Sequence, residues 1–395
     1  MTLENSKLGE TDIVYVGFVL GHGGDAVQML DLARGMSDRG LRVKIVVPEM
    51  PTTEAFAERA ASLGIQVVRT PYIKADAHSS RQNLLHLIRV FREHPARVYH
   101  IHTGDVCLPR LVPVALNLLQ ISRVIVTVHS PYDSLTPGDA RARYWAYTAN
   151  RQLFRVVCPS SHSRATQLTF GLLPDKVQVI YNSIDTDRFS RGVAQNARNT
   201  LGLGPERRII LFSSRLEGQK RPLEAVTAFS KMAAAHPDVD LVFVGRGALE
   251  PDARALAESL GLKDRVHFAG FQQNVHDWLA AASIWILPTE SENFSLAVLE
   301  ALAAGCPMVT TNCPGNDEVL VNEENALTVE VGDVDSMVNG LSRILSDEAF
   351  SRGLSENARK TGERFALARM IDQYAVCYNE CLGVTGASVP ASISS

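Results

Sequence analysis

The chain has 395 residues, of which 46% are hydrophobic and 21% are charged, and its formal net charge is −4. These values are typical of a globular protein with room for two domains, and they exclude bulk electrostatic attraction to nucleic acid. The six cysteines show no metal-ligand spacing, so we expect small buried thiols. We find no secretory leader pattern and no apolar run of bilayer length, and we therefore expect a cytoplasmic, reduced protein.

The first predicted elements form a βαβ unit around a glycine-rich turn. A buried strand is predicted at 13–19, a helix at 26–39 and a second strand at 43–47, with the turn at 21–24. The turn lacks the G-x-G-x-x-G spacing and no acid suitably closes the second strand, so a nicotinamide-binding domain is a disfavoured alternative. Gly23 and Gly24 either let the backbone approach a ligand or simply make the turn.

Further strands are predicted in the first half, and histidines stand at the ends of two of them. These strands cover residues 98–101, 124–128, 155–158 and 177–181. His100 and His102 alternate along one strand and share a face, but no third metal ligand is evident, so we expect no metal site there. His129 follows another strand, at the carboxyl end where open α/β sheets bind ligands. It is either a site residue or a structural one.

Basic residues favour the first half of the chain. Residues 1–188 contain 21 Lys and Arg against 17 Asp and Glu, a balance of +4, and the remainder carries 18 against 26, or −8. Within that half, a helical stretch at 141–155 mixes arginines with Tyr144, Trp145 and Tyr147. The stretch fits an acceptor surface, a helix that lies on a membrane, or an ordinary amphipathic helix of its own domain.

The second half repeats the alternation of strand and helix. Strands are predicted at 209–212, 241–244 and 265–268, and the first of them leads into Arg215 and Lys220. A guanidinium and an ammonium at the end of a strand suit a diphosphate, although surface cations are common. Pro222 is predicted as the first residue of the next helix.

The sequence is most distinctive between residues 284 and 309. A strand at 284–287 ends at Pro288, a polar loop follows, and a helix at 295–304 ends before Gly305. Glu292 lies in the loop, and Glu300 is the one charged residue of an otherwise apolar helical run. An apolar helix is expected to be buried, so its carboxylate needs hydrogen bonds from a ligand or from the backbone unless it leans out to solvent.

This segment resembles the E-x7-E signature of retaining GT-B glycosyltransferases, and most closely that of family 4, the glycosyl transferases group 1. Glu292 and Glu300 occupy the two acid positions, whereas Asn293 and Ser295 replace two glycines of the usual motif. Other family motifs are matched in the same order, at residues 127–129 (T-x-H), 180–189, 213–221 (G-R-L-x-x-x-K-G), 244–247 (V-G-x-G), 266–270 and 314–320. The resemblance covers residues 13–381.

The resemblance implies a GT-B architecture, in which two doubly wound Rossmann-like α/β domains face a central cleft. It implies an N-terminal, acceptor-side domain over residues 1–188 and a C-terminal, donor-side domain over residues 189–365. The last helix, 366–382, would cross back to the first domain, and 383–395 would form a disordered tail.

The resemblance also implies an activity: transfer of a hexosyl unit, with retention and without metal, from a nucleotide-diphosphate sugar to an acceptor hydroxyl. A UDP-sugar is favoured over GDP-mannose as donor. The donor is a co-substrate, so no cofactor is expected, and the acceptor would be a small molecule, a glycan or a lipid-linked sugar. Contact with a membrane surface and the oligomeric state are left open.

Roles follow for particular residues. Arg215 and Lys220 would stabilise the leaving diphosphate, Glu292 would hold sugar hydroxyls, Glu300 the ribose, and His129 would position the sugar. Donor contacts are also implied for the following residues: Gly23, Gly24, Gly245, Phe271, Asn293, Phe294, Ser295 and Leu296. Two other functions remain open, a sugar-nucleotide epimerase or hydrolase of the same fold and a non-catalytic nucleotide-sugar-binding protein.

Overall fold

The computed structural model describes residues 11–18, 23–50, 53–71, 81–129 and 135–384. The predictions made for Gly21 and for most of the tail, 385–395, lie outside the described residues. The chain divides into two compact units, one formed by residues 1–182 with 368–395 and the other by residues 183–367.

The first unit contains a parallel sheet of seven strands among the described residues. The strands are β1 (Thr11–Gly17), β2 (Val43–Pro48), β3 (Gln66–Thr70), β4 (Ala96–Thr103), β5 (Val124–Val128), β6 (Arg155–Cys158) and β7 (Val177–Val179). Their order across the sheet is β3-β2-β1-β4-β5-β6-β7. Strands such as β1, β5 and β6 are buried along most of their length because both faces of a parallel sheet are covered.

The second unit contains a parallel sheet of six strands within its described part. The strands are β8 (Arg208–Ser213), β9 (Val239–Val244), β10 (Val266–Gly270), β11 (Ile284–Leu287), β12 (Met308–Thr311) and β13 (Leu327–Val329). Their order is β10-β9-β8-β11-β12-β13. Large buried side chains, among them Phe212, Phe243 and Trp285, fill the core around this sheet.

Helices connect the strands of both sheets. In chain order they are α1 (Gly24–Asp38), α2 (Glu54–Ser62), α3 (Arg81–Glu93), α4 (Leu111–Leu118), α5 (Ala140–Gln152), α6 (Ser161–Thr169), α7 (Thr186–Ser190), α8 (Ala194–Leu201), α9 (Pro222–Met232), α10 (Glu250–Ser259), α11 (Val275–Ala281), α12 (Leu296–Ala304), α13 (Val334–Ser346), α14 (Glu348–Glu363) and α15 (Leu367–Leu382). No helix within the described ranges is long and apolar enough to cross a membrane.

Each sheet has a switch point where the strand order reverses direction. In the first sheet the reversal falls between β1 and β4, and in the second it falls between β8 and β11. The loops that leave the carboxyl ends of these strands diverge, and the crevice between them is the usual ligand site of doubly wound sheets. The topology therefore defines one ligand-binding edge in each unit.

The second unit begins a few residues earlier than the predicted boundary at 188/189. Ile184 donates its amide to the Phe365 carbonyl at 3.0 Å and accepts from the Leu367 amide at 2.8 Å. These bonds attach the segment before α7 to the end of the second unit. β3 is an edge strand in which Gln66 and Arg69 are exposed and only two adjacent residues, Val67 and Val68, are apolar, so its sequence does not show a strand pattern.

The basic, aromatic helix α5 is amphipathic within its own unit. Trp145 is buried and donates its indole Nε1–H to Gln167 Oε1 at 2.7 Å, whereas Tyr147 is 58% exposed beneath the Arg151 guanidinium. One face of α5 thus packs in the core of the first unit. This arrangement fits the prediction of an ordinary amphipathic helix of its own domain.

The last helix, α15, belongs to the first unit and is fastened to it by buried hydroxyl groups. The Tyr378 hydroxyl lies 2.7 Å from His100 Nδ1 and donates to the Tyr15 hydroxyl at 3.2 Å. Tyr374 lies 2.9 Å from Thr127 Oγ1, which itself lies 2.8 Å from His100 Nε2. Both ring nitrogens of His100 are therefore hydrogen-bonded inside the core.

We expect Tyr378→Phe to lower the free energy of unfolding by about 1–3 kcal/mol, because it leaves a buried ring nitrogen of His100 without its partner. Urea-induced unfolding followed by circular dichroism measures the change. Tyr147→Phe is the matched control, since its hydroxyl lies on an exposed side chain. Equal stabilities for the two variants would contradict the role assigned to the Tyr378 hydroxyl.

Candidate active site

The switch point of the second sheet brings a lysine and a glutamate together. Lys220 ends a short 3-10 turn that follows β8, and Glu292 lies in the loop after the neighbouring strand β11. The Lys220 ammonium donates to Glu292 Oε1 at 2.5 Å, and the two residues are only 7% and 5% exposed. Two of the predicted catalytic residues thus form a buried ion pair, in which each neutralises the other.

The two loops that carry this ion pair are hydrogen-bonded to each other. The Gln219 carbonyl accepts from the Glu290 amide at 2.8 Å and from the Thr289 hydroxyl at 3.3 Å. The Gln219 side-chain amide donates to the Ser291 carbonyl at 2.5 Å. Gln219, which the sequence analysis did not single out, therefore fixes the cationic turn to the acidic loop.

The loop after β12 supports Glu292 from the other side. The Glu292 amide donates to the Pro314 carbonyl at 3.3 Å, and a Cβ atom at Gly315 would lie 2.5 Å from the Glu292 carbonyl oxygen. Gly315 also has a φ of +87°, so only glycine fits this position without strain. Burial, with a smaller contribution from the Glu292 carboxylate, raises the pKa of the nearby Cys313 thiol to about 12.

Arg215 extends from the segment after β8 and is exposed. No other described side chain forms an ion pair with it. Its segment lies directly against the two glycines of the V-G-x-G turn: added Cβ atoms at Gly245 and Gly247 would lie 2.0 and 2.3 Å from the carbonyl oxygens of Ser214 and Leu216. Gly245 was predicted to contact the donor. Both glycines also make room for the backbone on either side of Arg215.

The N-terminus of α12 lies immediately after the acidic loop. Asn293, Phe294 and Ser295 are buried, and the Phe294 ring packs against Phe365 with centroids 5.2 Å apart. Ser295 is the N-cap residue, although its side chain does not cap the helix. The first-turn amides of a helix have no intrahelical acceptors and favour an anion.

The structure corrects the expectation that α12 is buried all round. Leu296, Ala297, Glu300 and Ala304 form a half-buried stripe along the helix, and the other side is buried. Their spacing follows the helical repeat, so they share one face. Glu300 therefore lies on the more open face and is not a carboxylate enclosed by apolar side chains.

Three further predicted donor contacts lie at the ends of helices or strands. Phe271 follows β10 and is 54% exposed. Gly23 is the N-cap residue of α1 and Gly24 is its first residue, on the loop that leaves β1 at the switch point of the first sheet. An added Cβ at Gly23 would lie 2.6 Å from the Asp25 carboxylate, which ends a side chain that can move aside, and the φ of Gly23 is −90°, so the turn itself does not require glycine here.

The switch-point edge of the first sheet also carries a pair of histidines. The His129 amide donates to the Thr103 carbonyl at 2.9 Å, which fixes the end of β5 to the end of β4. His129 Nε2 lies 2.9 Å from His102 Nδ1, with the two rings stacked at an interplanar angle of 18°. His102 is 3% exposed, so it is a buried partner of His129 and not an open contact residue.

Burial sets the protonation of these histidines. It lowers the pKa of His129 to about 4. For His102, burial and then the neighbouring His100 and His129 rings lower the pKa well below its usual value. Both rings are consequently neutral near pH 7. Among the described residues, no group of three His, Cys, Asp or Glu side chains is placed to hold a metal ion.

Comparison with known proteins assigns the chain to a family. The family model of glycosyltransferase family 4 matches residues 22–188, and that of the glycosyl transferases group 1 matches residues 193–361. The chain is 32% identical over 261 residues to an uncharacterized glycosyltransferase of Methanocaldococcus jannaschii, which covers 62% of this chain and 67% of that protein. The chain belongs to the glycosyl transferases group 1, as its motifs indicated, and its class is therefore that of the glycosyltransferases.

A second sequence relative and a solved structure are also similar to this chain. The chain is 31% identical over 229 residues to the N-acetyl-alpha-D-glucosaminyl L-malate synthase of Bacillus anthracis, which covers 58% of this chain and 60% of that relative. The solved structure of HepE from Anabaena in complex with UDP-glucose superposes with a TM-score of 0.78 at 19% identity, covering 94% of this chain and all of that one. The predicted GT-B fold, with two Rossmann-like domains, is confirmed.

We expect Lys220→Met and Glu292→Gln each to lower the free energy of unfolding by about 3–5 kcal/mol, because each leaves one buried charge without its partner. The double variant leaves no unpaired charge, so its loss should be smaller than the sum of the single losses. Urea-induced unfolding of all four proteins measures the coupling.

The control is the same cycle on the exposed helical pair Arg352 and Glu348, whose side chains are 65% and 84% exposed. An exposed pair is screened by water and should show little coupling. Additive losses for Lys220 and Glu292 would contradict the buried ion pair.

Proposed function

We propose that the protein is a retaining glycosyltransferase that moves a hexosyl unit from a nucleotide-diphosphate sugar to an acceptor hydroxyl without a metal ion. The observation that carries the proposal is the buried ion pair of Lys220 and Glu292 at the switch point of the second sheet, with Arg215 on the same connection after β8 as Lys220. Membership of the glycosyltransferase family supports the same class of reaction.

The charges at this edge suit a diphosphate. Lys220 and Glu292 neutralise each other, so the exposed guanidinium of Arg215 and the N-terminus of α12 supply the uncompensated positive potential. When the donor binds, its phosphate oxygens become acceptors for Lys220, and its sugar hydroxyls become donors to Glu292. The donor thereby replaces the ion pair, and neither charge is left unpaired in a buried place.

The proposed reaction needs stabilisation of a leaving group. The acceptor oxygen bonds to the anomeric carbon on the face from which the diphosphate leaves, the bond between that carbon and the diphosphate oxygen breaks, and the acceptor proton passes to that oxygen. Arg215 and Lys220 stabilise the charge that develops on the diphosphate, an electrostatic effect that often dominates catalysis. Glu300 holds ribose hydroxyls from the half-buried face of α12, and the neutral His129 ring hydrogen-bonds the sugar.

A UDP-sugar is the favoured donor, with GDP-mannose as the alternative. The support is that HepE, which shares the fold, was solved with UDP-glucose. For the acceptor we propose a hydroxyl of a small molecule, a glycan or a lipid-linked sugar. One relative is named for joining an N-acetyl-α-D-glucosaminyl unit to L-malate, which supports a small acceptor among these classes.

We expect UDP and UDP-hexoses to raise the melting temperature more than GDP and GDP-mannose do, and we expect EDTA to leave the shift unchanged. A nucleotide present at 100 times its dissociation constant stabilises the folded state by about 2.7 kcal/mol, which a thermal shift assay detects. Stabilisation by GDP compounds alone would overturn the donor assignment. Loss of the shift in EDTA, restored by Mg²⁺, would overturn metal independence.

We expect Arg215→Ala to reduce turnover of the donor by about 10²- to 10³-fold, because it removes a cation from the leaving group. Arg215 is exposed, so its loss should leave the melting temperature unchanged, whereas a change at Lys220 also disturbs the fold. Arg215→Lys should recover part of the rate, since it keeps the charge but loses the bidentate geometry.

The readout is release of UDP from the donor, and Arg59→Ala, at another exposed arginine, is the control. Full activity of Arg215→Ala would remove Arg215 from the site. The products separate the alternatives: an epimerase converts the donor sugar without an acceptor, a hydrolase releases free sugar however much acceptor is added, and a binding protein shows a thermal shift without turnover.

A further inference from the structure

A buried histidine cluster lies behind His129 in the first unit. His102 Nδ1 is 2.9 Å from His129 Nε2, and the His100 ring lies on the other side of His102, with centroids 4.2 Å apart. His102 Nε2 is buried and has no hydrogen-bond partner in the described part of the chain. The imidazole of His102 therefore makes one hydrogen bond through its side chain, and that bond goes to His129.

We propose that His102 is the positioning residue for His129, and that it acts through its Nδ1 atom alone. This inference rests on the proposed role of His129 at the transferred sugar. A neutral imidazole has one N–H and one bare nitrogen, and the hydrogen bond at one nitrogen decides which of them the other presents. Pairing with His102 thus fixes the orientation of the His129 ring and couples its tautomer to that of His102.

The surroundings of His102 make it a rigid support. His100 packs against it and is itself held at both ring nitrogens, by the Tyr378 and Thr127 hydroxyls. The Tyr15 ring lies 6.0 Å from the His102 ring. Because these neighbours are held in place by hydrogen bonds and packing, the His102 ring has little room to rotate. A His102 ring in a fixed orientation can in turn hold the His129 ring at the end of β5.

The backbone fixes His129 only in part. Its amide is bonded to the Thr103 carbonyl, which places its Cα atom but does not by itself set the rotation of the ring. The bond between His129 Nε2 and His102 Nδ1 restrains that rotation. A site residue must keep its atoms within a fraction of an ångström of the reacting geometry, and a misplacement of 1 Å costs about 10²-fold in rate.

The two nitrogens of His102 can be replaced separately, because asparagine places its terminal atoms near the Nδ1 position of histidine and glutamine places an amide near Nε2. We expect His102→Asn to retain turnover within about threefold of the wild type. We expect His102→Gln and His102→Phe to lose about 10- to 100-fold in turnover, with the KM for the donor little changed. Release of UDP from UDP-glucose measures both constants.

If His102 had only a structural role, the turnover of the His102 variants would follow their stability. Asparagine leaves the larger gap in the core, so the melting temperature should fall at least as far for His102→Asn as for His102→Gln. Turnover that follows the melting temperature instead of the retained Nδ1 position would overturn the proposal. In a His129→Ala background, His102→Gln should cause no further loss, and additive losses would also overturn it.

A measurement without substrate separates this inference from the proposed function. Nitrogen-15 spectra of histidine-labelled protein report the tautomer and the hydrogen bonding of each ring. We expect a hydrogen-bonded Nε2 signal for His129 in the wild type and in His102→Asn, and loss of that hydrogen-bonded signal in His102→Gln. If these spectra appear as expected while no nucleotide sugar is turned over, the positioning role stands and the proposed transferase function fails. An unchanged His129 signal in His102→Gln would overturn the positioning role whatever the activity.

Discussion

The candidate site of the second unit is built on a buried ion pair, because Lys220 and Glu292 are acceptable in the interior only while each has the other. Several features of the fold serve that pairing. Adjacent strands β8 and β11 deliver the two residues to the same edge, Gln219 bonds their loops together, and Gly315 allows a third loop to approach closely. A diphosphate sugar would enter a place where the charges are already positioned and need only change partners.

The first unit uses the same topology with different chemistry. Its switch point carries neutral histidines instead of charges, and burial is what keeps them neutral. His129 is supported by His102, and the cluster behind them is completed by hydroxyl groups from β5 and α15. The two edges thus differ in chemistry, with charged side chains in the second unit and neutral imidazoles in the first.

Local patterns in the sequence predicted most of the strands, and motif order predicted the family. Strands such as β5 and β11 were predicted because they are almost entirely apolar runs, whereas the edge strand β3, with only two adjacent apolar residues, was not. The burial of Glu300 was misjudged, since composition alone does not reveal that one stripe of α12 is open. The partners of Lys220 and His100 lie 72 and 278 residues away, and no local pattern encodes contacts at such separations.

The membership of α15 in the first unit has a consequence for biosynthesis. Almost all of that unit leaves the ribosome before residue 183, yet the tyrosine hydroxyls that complete its histidine core arrive only with the last helix. Until then His100 and Thr127 lack these partners, throughout the synthesis of the whole second unit. Completion of the first unit therefore follows synthesis of the second, and a chain released before α15 lacks part of its first unit.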